Sequence, residues 1–284
     1  MTRGLHVCRH LVLGLIACGF LFPISLVIST SLKPLAEIDS GSIFSLPHAP
    51  TLAAWHKAWT TACIGLECHG IAPAFANSII IVIPSLLLSV GIGAIAGYAL
   101  SLRASAYGDF LFSALLFGLF IPAQVTLFPM IHLTSRLGLF GTIPGVVLAH
   151  VIWGLPFVTL MMRNTFLSVP RNIVQSARVD GAGFVTIFWR LMIPMSWPMC
   201  IATIVLQFTY LWNDFLFGLI IAGHGQQPVT VTLSILAGAQ YGLQEYNVNM
   251  AAAMIAAAPT IVIYLASGRL FLRWLGNPPR ELQR

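Results

Sequence analysis

Residues 170–182 have the sequence Pro-Arg-Asn-Ile-Val-Gln-Ser-Ala-Arg-Val-Asp-Gly-Ala, a polar stretch in an otherwise very apolar chain. Proline suits the first turn of a helix and glycine its C-terminal stop, so the stretch predicts a short helix that ends at Gly181. Its apolar face carries Ile173, Val174 and Ala177, and its polar face carries Arg171, Gln175 and Arg178. Such a helix can dock into a groove on a partner protein or lie on lipid headgroups, and the pattern alone favours neither.

The chain around this stretch is too apolar to be a water-soluble domain. Of its 284 residues, 58% are hydrophobic and 8% are charged, whereas soluble domains carry about 25% charged residues. Six apolar runs are each long enough to cross ~30 Å of hydrocarbon. They are residues 11–30, 75–102, 110–131, 142–162, 197–222 and 250–274. We therefore predict an all-α membrane protein with six transmembrane helices.

The whole chain is predicted to be one membrane domain. Residues 11–275 form the six-helix domain, and residues 1–10 and 276–284 are short cytoplasmic ends. The first run is longer than the apolar region of a signal peptide and has no small-residue cleavage site at its end. We therefore interpret it as an uncleaved span.

The basic residues predict the orientation in the membrane. Cytoplasmic loops are enriched in Lys and Arg, and a cytoplasmic N-terminus leaves only three of the 14 basic residues outside: Lys33, Lys57 and Arg136. Both chain ends are then cytoplasmic, residues 31–74 form an ordered outer segment, and residues 163–196 form a cytoplasmic loop. Because no basic patch is interleaved with aromatic residues, the net charge of +6 does not predict a nucleic-acid partner.

The sequence has no recognisable element for hydrolysing ATP or holding a metal. A phosphate-binding loop ends in Gly-Lys-Ser/Thr, but neither Lys33 nor Lys57 follows a glycine. The eight histidines are scattered, without metal-ligand spacing on one predicted helix. We predict no enzyme, cofactor or metal, so ATP and Mg²⁺ would be bound by a partner ATPase. A secondary transporter, the alternative class, usually has intramembrane charged pairs or internal repeats, and the sequence shows neither.

Residues 175–194 resemble the cytoplasmic EAA loop of ABC importer permeases. The family pattern is Glu-Ala-Ala, two further residues, Asp-Gly-Ala, and then Phe and a Leu-Pro pair. The matching residues are Ala177, Asp180, Gly181, Ala182, Phe188 and Pro194, and the departures are Gln175 for Glu, Ser176 for Ala and Ile193 for Leu. The resemblance implies the type I ABC importer permease fold.

The same resemblance implies that residues 170–183 couple this chain to a separate ATPase. The expected coupling residues are Arg171, Gln175, Ser176, Ala177, Arg178, Asp180, Gly181 and Ala182. Gln175 replaces a carboxylate that could pair with a basic group on the ATPase. We therefore expect this contact to depend more on shape and less on charge.

From residue 11 to residue 275 the chain is similar to carbohydrate-type permeases, in particular the second permease subunit of maltose- and glucose-type importers. The segments that carry the similarity are 30–34 with Glu37, 77–78, 98–100, 137–139, 212–214 and 251–259. The similarity implies a multi-pass protein of the bacterial inner membrane. Its implied partners are a second permease subunit in a heterodimer, two copies of an ATP-binding subunit and a periplasmic sugar-binding protein.

A few side chains in or beside the predicted spans could meet the substrate. Asp214 is the most informative, because a carboxylate in lipid is costly and should face the bundle interior. It either lines the translocation pathway or forms a hydrogen bond between helices that fixes their packing. The pathway candidates are Asn77, Gln124, Trp212, Asn213 and Asp214.

Cys63 and Cys68 bracket a short loop in the outer segment. The bacterial periplasm oxidises such pairs, so we predict a disulfide. Binding of a metal together with the adjacent His69 is the alternative, although a single C-x4-C is a weak metal pattern. A cysteine-bracketed loop here is also similar to glucose- and mannose-type members. We therefore predict uptake of a monosaccharide, with an oligosaccharide or glycerol 3-phosphate as alternatives.

Overall fold

The computed structural model describes residues 2–42, 44–102, 106–238 and 244–276, and within these ranges the side chains from residue 8 to residue 268. In chain order the helices are α1 (Thr2–Ser31), α2 (Leu35–Ser40), α3 (Ala53–Thr60), α4 (Ala72–Leu102), α5 (Ala106–Phe120), α6 (Ala123–Arg136), α7 (Ile143–Leu167), α8 (Arg171–Val179), α9 (Phe184–Ile187), α10 (Ile193–Met195), α11 (Trp197–Trp212), α12 (Leu216–Ile221), α13 (Val229–Gly238) and α14 (Tyr246–Gly276). Strands β1 (Cys63–Ile64) and β2 (Glu67–Cys68) pair antiparallel, and a π-helical turn covers Phe188–Met192. The predicted cytoplasmic tail lies, from residue 277 onward, outside the described residues.

Four helices, α1, α4, α7 and α14, are each long and apolar enough to cross a membrane. They correspond to the first, second, fourth and sixth apolar runs, so these four predicted helices are confirmed. Pro84, Pro156 and Pro259 lie inside α4, α7 and α14 without ending them. In a membrane protein, neighbouring groups can satisfy the carbonyl that a proline leaves free.

The third and fifth runs are not continuous helices, which corrects the prediction for these two spans. The third run is divided at Ile121–Pro122 into α5 and α6, which are bent by 108°. Proline has no N–H to donate and disfavours a helical conformation of the residue before it. The fifth run is interrupted after Trp212, and its helix α11 is instead paired with the segment Phe184–Met195 across a bend of 84°. Counting each bent pair as one span gives six.

One compact unit is formed by the chain up to Phe75 together with Val229–Ala258. It contains α2, α3 and the strand pair of the outer segment. Helix α13 packs against β1 in this unit. No apolar run predicted α13, whose sequence begins Val-Thr-Val-Thr and so has the β-branched composition that is commoner in strands.

Two lysines stabilise this unit. Lys33 is buried, and its Nζ donates to the carbonyl oxygen of Ser42 at 3.2 Å and to Oγ of Ser45 at 3.1 Å. Lys57 forms an ion pair with Glu245 at 2.6 Å. These polar contacts hold together an outer segment that consists largely of short loops.

The second compact unit runs from Ala76 to Pro228 and continues in α14 from Pro259. It contains a close approach between α4 and α7 at two glycines. A Cβ atom added to Gly93 would lie 2.6 Å from Cγ1 of Val158, and one added to Gly97 would lie 2.7 Å from the backbone nitrogen of Arg163. Small residues of this kind allow helices to pack closely in membranes.

Candidate coupling site and translocation path

The polar stretch at residues 170–182 forms α8, as predicted, and α8 ends in a Schellman motif. Gly181 has a φ of +80°, in the left-handed region that glycine adopts without strain. The Gly181 N–H donates to the carbonyl oxygen of Arg178 at 3.1 Å, and the Ala182 N–H donates to that of Ala177 at 2.9 Å. This pair of hydrogen bonds defines the motif, and it fixes the direction in which the chain leaves α8.

The two faces of α8 are divided as the sequence predicted. On one side Val174 and Ala177 are partly buried and pack, together with Ala182 just beyond the helix, against a buried core that α4, α7 and the segment after α8 form. The exposed residues of the other side are Arg171, Gln175, Ser176, Arg178 and Asp180. Val179, at the end of the helix, is also exposed, over 88% of its surface. The helix therefore presents a polar face and one apolar side chain outward.

An aromatic cluster, consisting of Tyr98, Phe166, Phe184 and Phe188, supports this arrangement. The Tyr98 side chain is completely buried, and its ring centroid lies 4.6 Å from that of Phe184, 5.3 Å from Phe188 and 5.9 Å from Phe166. The Tyr98 hydroxyl has no hydrogen-bond partner among the described residues. The rings fasten the segment that follows α8 to α4 and α7.

Two cavities are both lined in part by Arg178. One, of about 160 Å³, is lined by Arg171, Gln175 and Ser101 among others. The other, of about 460 Å³, is lined in part by Tyr98. The surface around α8 is therefore indented, and side chains of a partner protein can enter it beside an exposed guanidinium group.

The structure places an ionisable pair inside the second unit, which corrects the expectation that the spans hold no such pair. Nε2 of His150, on α7, lies 3.2 Å from Oδ2 of Asp214, and both side chains are buried. This distance suits an ionic contact, but neither ring nitrogen makes a well-aligned hydrogen bond within the described part of the chain. The Asp214 carboxylate also accepts hydrogen bonds from the backbone N–H groups of Phe217 at 3.4 Å and Gly218 at 3.0 Å.

Two other pathway candidates are engaged in internal contacts. Trp212 is only 3% exposed, and its ring stacks on Phe208 with centroids 5.7 Å apart. The Asn77 side chain donates to the carbonyl oxygens of Gly225 at 2.9 Å and Gln227 at 3.2 Å. In this geometry Trp212 packs on Phe208, and Asn77 holds the loop that follows α12.

Gln124 and Asn213 are the two pathway candidates with exposed side chains. Gln124 lies in the first turn of α6, directly after the bend at Pro122. Asn213 follows the last residue of α11, and its side chain donates to the carbonyl oxygen of Thr209 at 2.8 Å. Exposed amides beside interrupted helices are unfavourable in lipid but suit a water-filled path or a partner subunit.

In the outer segment, a disulfide joins Cys63 and Cys68 across the β1–β2 pair. Leu66, at the tip of this hairpin, is fully exposed. The carboxylate of Glu67 accepts a hydrogen bond from His69 at 2.8 Å and thereby raises the pKa of this histidine. Sulfur atoms that are bonded to each other are not available as thiolate ligands for a metal.

Peptide mass spectrometry of protein prepared without reductant is expected to find Cys63 and Cys68 linked. Cys8 and Cys18, which are exposed and free, serve as matched controls and should be alkylated in the same sample. Closing so short a loop contributes at most about 2–3 kcal/mol, so a Cys63→Ser/Cys68→Ser variant should fold with a modestly lower melting temperature. Alkylation of Cys63 and Cys68 to the same extent as Cys8 would contradict the disulfide.

Comparison with known proteins agrees with this architecture. The family of binding-protein-dependent transport system inner membrane components matches residues 89–277, more than half of the chain. The osmoprotective compounds uptake permease protein GgtD of Synechocystis is 33% identical over 210 residues, which cover 73% of this chain and 70% of the relative. The glucose import system permease protein GlcU of Saccharolobus solfataricus is 29% identical over 275 residues, which cover 94% of this chain and 92% of the relative.

A solved structure shows the same fold. It is a crystal structure of a bacterial ABC transporter involved in the import of the acidic polysaccharide alginate, and the match has a TM-score of 0.80 over 95% of this chain and 97% of that chain, at 21% identity. The fold is that of a type I ABC importer permease. From the family match, the fold and the glycine-ended helix α8, we conclude that this chain belongs to the binding-protein-dependent transport system inner membrane components.

Proposed function

We propose that this chain is the permease subunit of an ATP-driven sugar importer in the bacterial inner membrane. It forms half of the translocation pathway, and a separate ATPase drives it through residues 170–183. The observation that carries this proposal is the outward polar face of α8, which ends at the left-handed Gly181 and is supported by the aromatic cluster. A surface helix held rigidly on the ends of two spans can pass the movement of a docked partner to those spans.

The complete importer contains this chain, a second permease subunit, two ATP-binding subunits and a periplasmic sugar-binding protein. The family name itself refers to a binding protein, which supports this composition. ATP and Mg²⁺ are bound by the ATP-binding subunits, and the chain described here works without a cofactor. The two exposed amides, Gln124 and Asn213, can donate hydrogen bonds to sugar hydroxyls and accept them.

A monosaccharide such as glucose or mannose is the proposed substrate. The similarity to a glucose import permease over nearly the whole chain supports it, together with the cysteine-clamped outer loop. The alternative is an oligosaccharide or glycerol 3-phosphate, since permeases of this fold serve cargoes as different as osmoprotective compounds and alginate.

The experiment is sugar uptake by a strain that lacks this chain, with and without the chain supplied from a plasmid. We expect uptake of labelled glucose to fall to background in the deletion strain and to return with the plasmid. Unlabelled mannose should compete, whereas maltose and glycerol 3-phosphate should not. Supplying the Gln175→Glu variant should restore uptake equally well, because it recovers the carboxylate of the family pattern. Unchanged glucose and mannose uptake in the deletion strain would exclude the monosaccharide.

A secondary transporter is the second candidate, and the buried contact between His150 and Asp214 is the observation in its favour. Ion-coupled carriers place ionisable groups of this kind inside the membrane. The same uptake assay separates the two classes. An ATP-driven importer stops when ATP is depleted under a maintained proton gradient, whereas a proton-coupled carrier stops when the gradient is collapsed.

A further inference from the structure

His150 and Asp214 meet across two elements that are far apart in sequence. His150 lies in the N-terminal third of α7, and Asp214 lies in the break between α11 and α12. The two side chains are 2% and 7% exposed, and the nearest nitrogen and oxygen atoms are 3.2 Å apart. A carboxylate in so buried a place is strongly disfavoured unless polar groups surround it.

The Asp214 carboxylate also begins the helix that follows it. It accepts hydrogen bonds from the N–H groups of Phe217 and Gly218, the second and third residues of α12. A negative charge at a helix N-terminus is favourable because the free N–H groups and the helix dipole point toward it. One side chain therefore starts α12 and contacts α7.

Apolar packing around the pair also holds α7 and α12 together. Phe217 is completely buried, and its ring meets the His150 ring edge-on at 5.8 Å. Ile221, on the same short helix, packs in a buried cluster with Val146 and Ala149 of α7. The His150–Asp214 contact is thus the polar part of an otherwise apolar seam between α7 and α12.

We infer that His150 is a positioning residue of the transporter: by holding Asp214, its imidazole keeps the break between α11 and α12 seated on α7. That break carries the exposed amide of Asn213, so the contact sets where a pathway candidate points. The role of His150 in transport rests on the proposed function, whereas its contact with Asp214 rests on the geometry alone.

The test uses three variants, with uptake normalised to the amount of assembled complex recovered by affinity pull-down. His150→Leu removes the imidazole that contacts Asp214 at 3.2 Å and leaves a buried carboxylate with one polar neighbour fewer, so uptake per complex should fall on the order of tenfold. His150→Gln, which keeps an N–H near the position of Nε2, should retain most uptake. The double variant His150→Leu/Asp214→Asn should recover uptake, since Asn removes the buried charge and keeps an oxygen for α12. His132→Leu, an exposed histidine on α6, is the control and should match wild type.

Rescue is the decisive readout, because a histidine that only filled space would gain nothing from Asp214→Asn. The inference is overturned if the double variant is no better than His150→Leu, or if His150→Gln is as impaired as His150→Leu. Melting temperatures of the same purified variants test the pairing without transport. If the wild-type chain restores no sugar uptake, the proposed function fails, but a higher melting temperature of the double variant than of His150→Leu still supports the contact.

Discussion

Replacing Gly181 with valine is expected to lower uptake by roughly tenfold or more, whereas Gly181→Asn should keep most of it. The left-handed backbone at φ +80° costs an ordinary residue about 1–2 kcal/mol and a β-branched one more, while asparagine tolerates it. Steric clash is not the reason, since no described atom lies within 4 Å of a Cβ added at Gly181. The strain instead disrupts the Schellman motif and changes the direction in which the chain leaves α8.

Uptake and ATP hydrolysis should be measured in the same vesicles, and retention of the ATPase should be measured by pull-down. If the helix end only stabilises the fold, Gly181→Val lowers the amount of complex and leaves the ratio of uptake to hydrolysis unchanged. If it transmits movement, this ratio falls. Normal uptake by Gly181→Val at normal expression would exclude a role for the helix end.

The second large effect is expected at Tyr98. Removing a fully buried aromatic ring costs about 3–5 kcal/mol, so Tyr98→Ala should strongly lower the melting temperature and weaken coupling to the ATPase. Tyr98→Phe keeps the ring contacts and removes a hydroxyl that has no partner among the described residues, so it should be neutral or slightly stabilising.

Tyr107 provides the matched control, because it is 72% exposed and Tyr107→Ala should change little. The measurement is the melting temperature of the purified complex together with binding-protein-stimulated ATP hydrolysis. If Tyr98→Phe is as damaging as Tyr98→Ala, the hydroxyl has a partner in the assembled importer and ring packing is not what the cluster contributes.

Local patterns were sufficient to predict helix α8. Proline at its start, apolar residues on one face and Gly181 at its end all act within a single helix, so residues close in sequence determine the structure. The four continuous spans were equally predictable, because length and apolarity suffice. Pro122 lies at the bend between α5 and α6. However, the prolines within α4, α7 and α14 do not end those helices, so the presence of a proline was not enough to predict where a helix is interrupted.

The interior contacts could not be predicted in the same way. The sequence singled out Asp214, because a carboxylate among apolar residues should face the interior. Its partner His150 could not be identified, because the two residues are on different elements and only tertiary structure brings them together. The burial of Trp212 against Phe208 was not predictable either, because it depends on which helices pack around the ring. Helix α13 was missed because its β-branched composition is overridden by packing against β1. These features depend on tertiary structure.

The disulfide between Cys63 and Cys68 also indicates in which cellular compartment this loop lies. Thiols stay reduced in the bacterial cytoplasm and are oxidised beyond the inner membrane. If the proposed orientation holds, the bond forms only after the loop has crossed. If the bond is found in protein isolated from cells, the outer segment must have crossed the membrane before its cysteines were oxidised. Because α4 begins four residues after Cys68, the redox state of these two sulfur atoms would then record on which side of the membrane the second span starts.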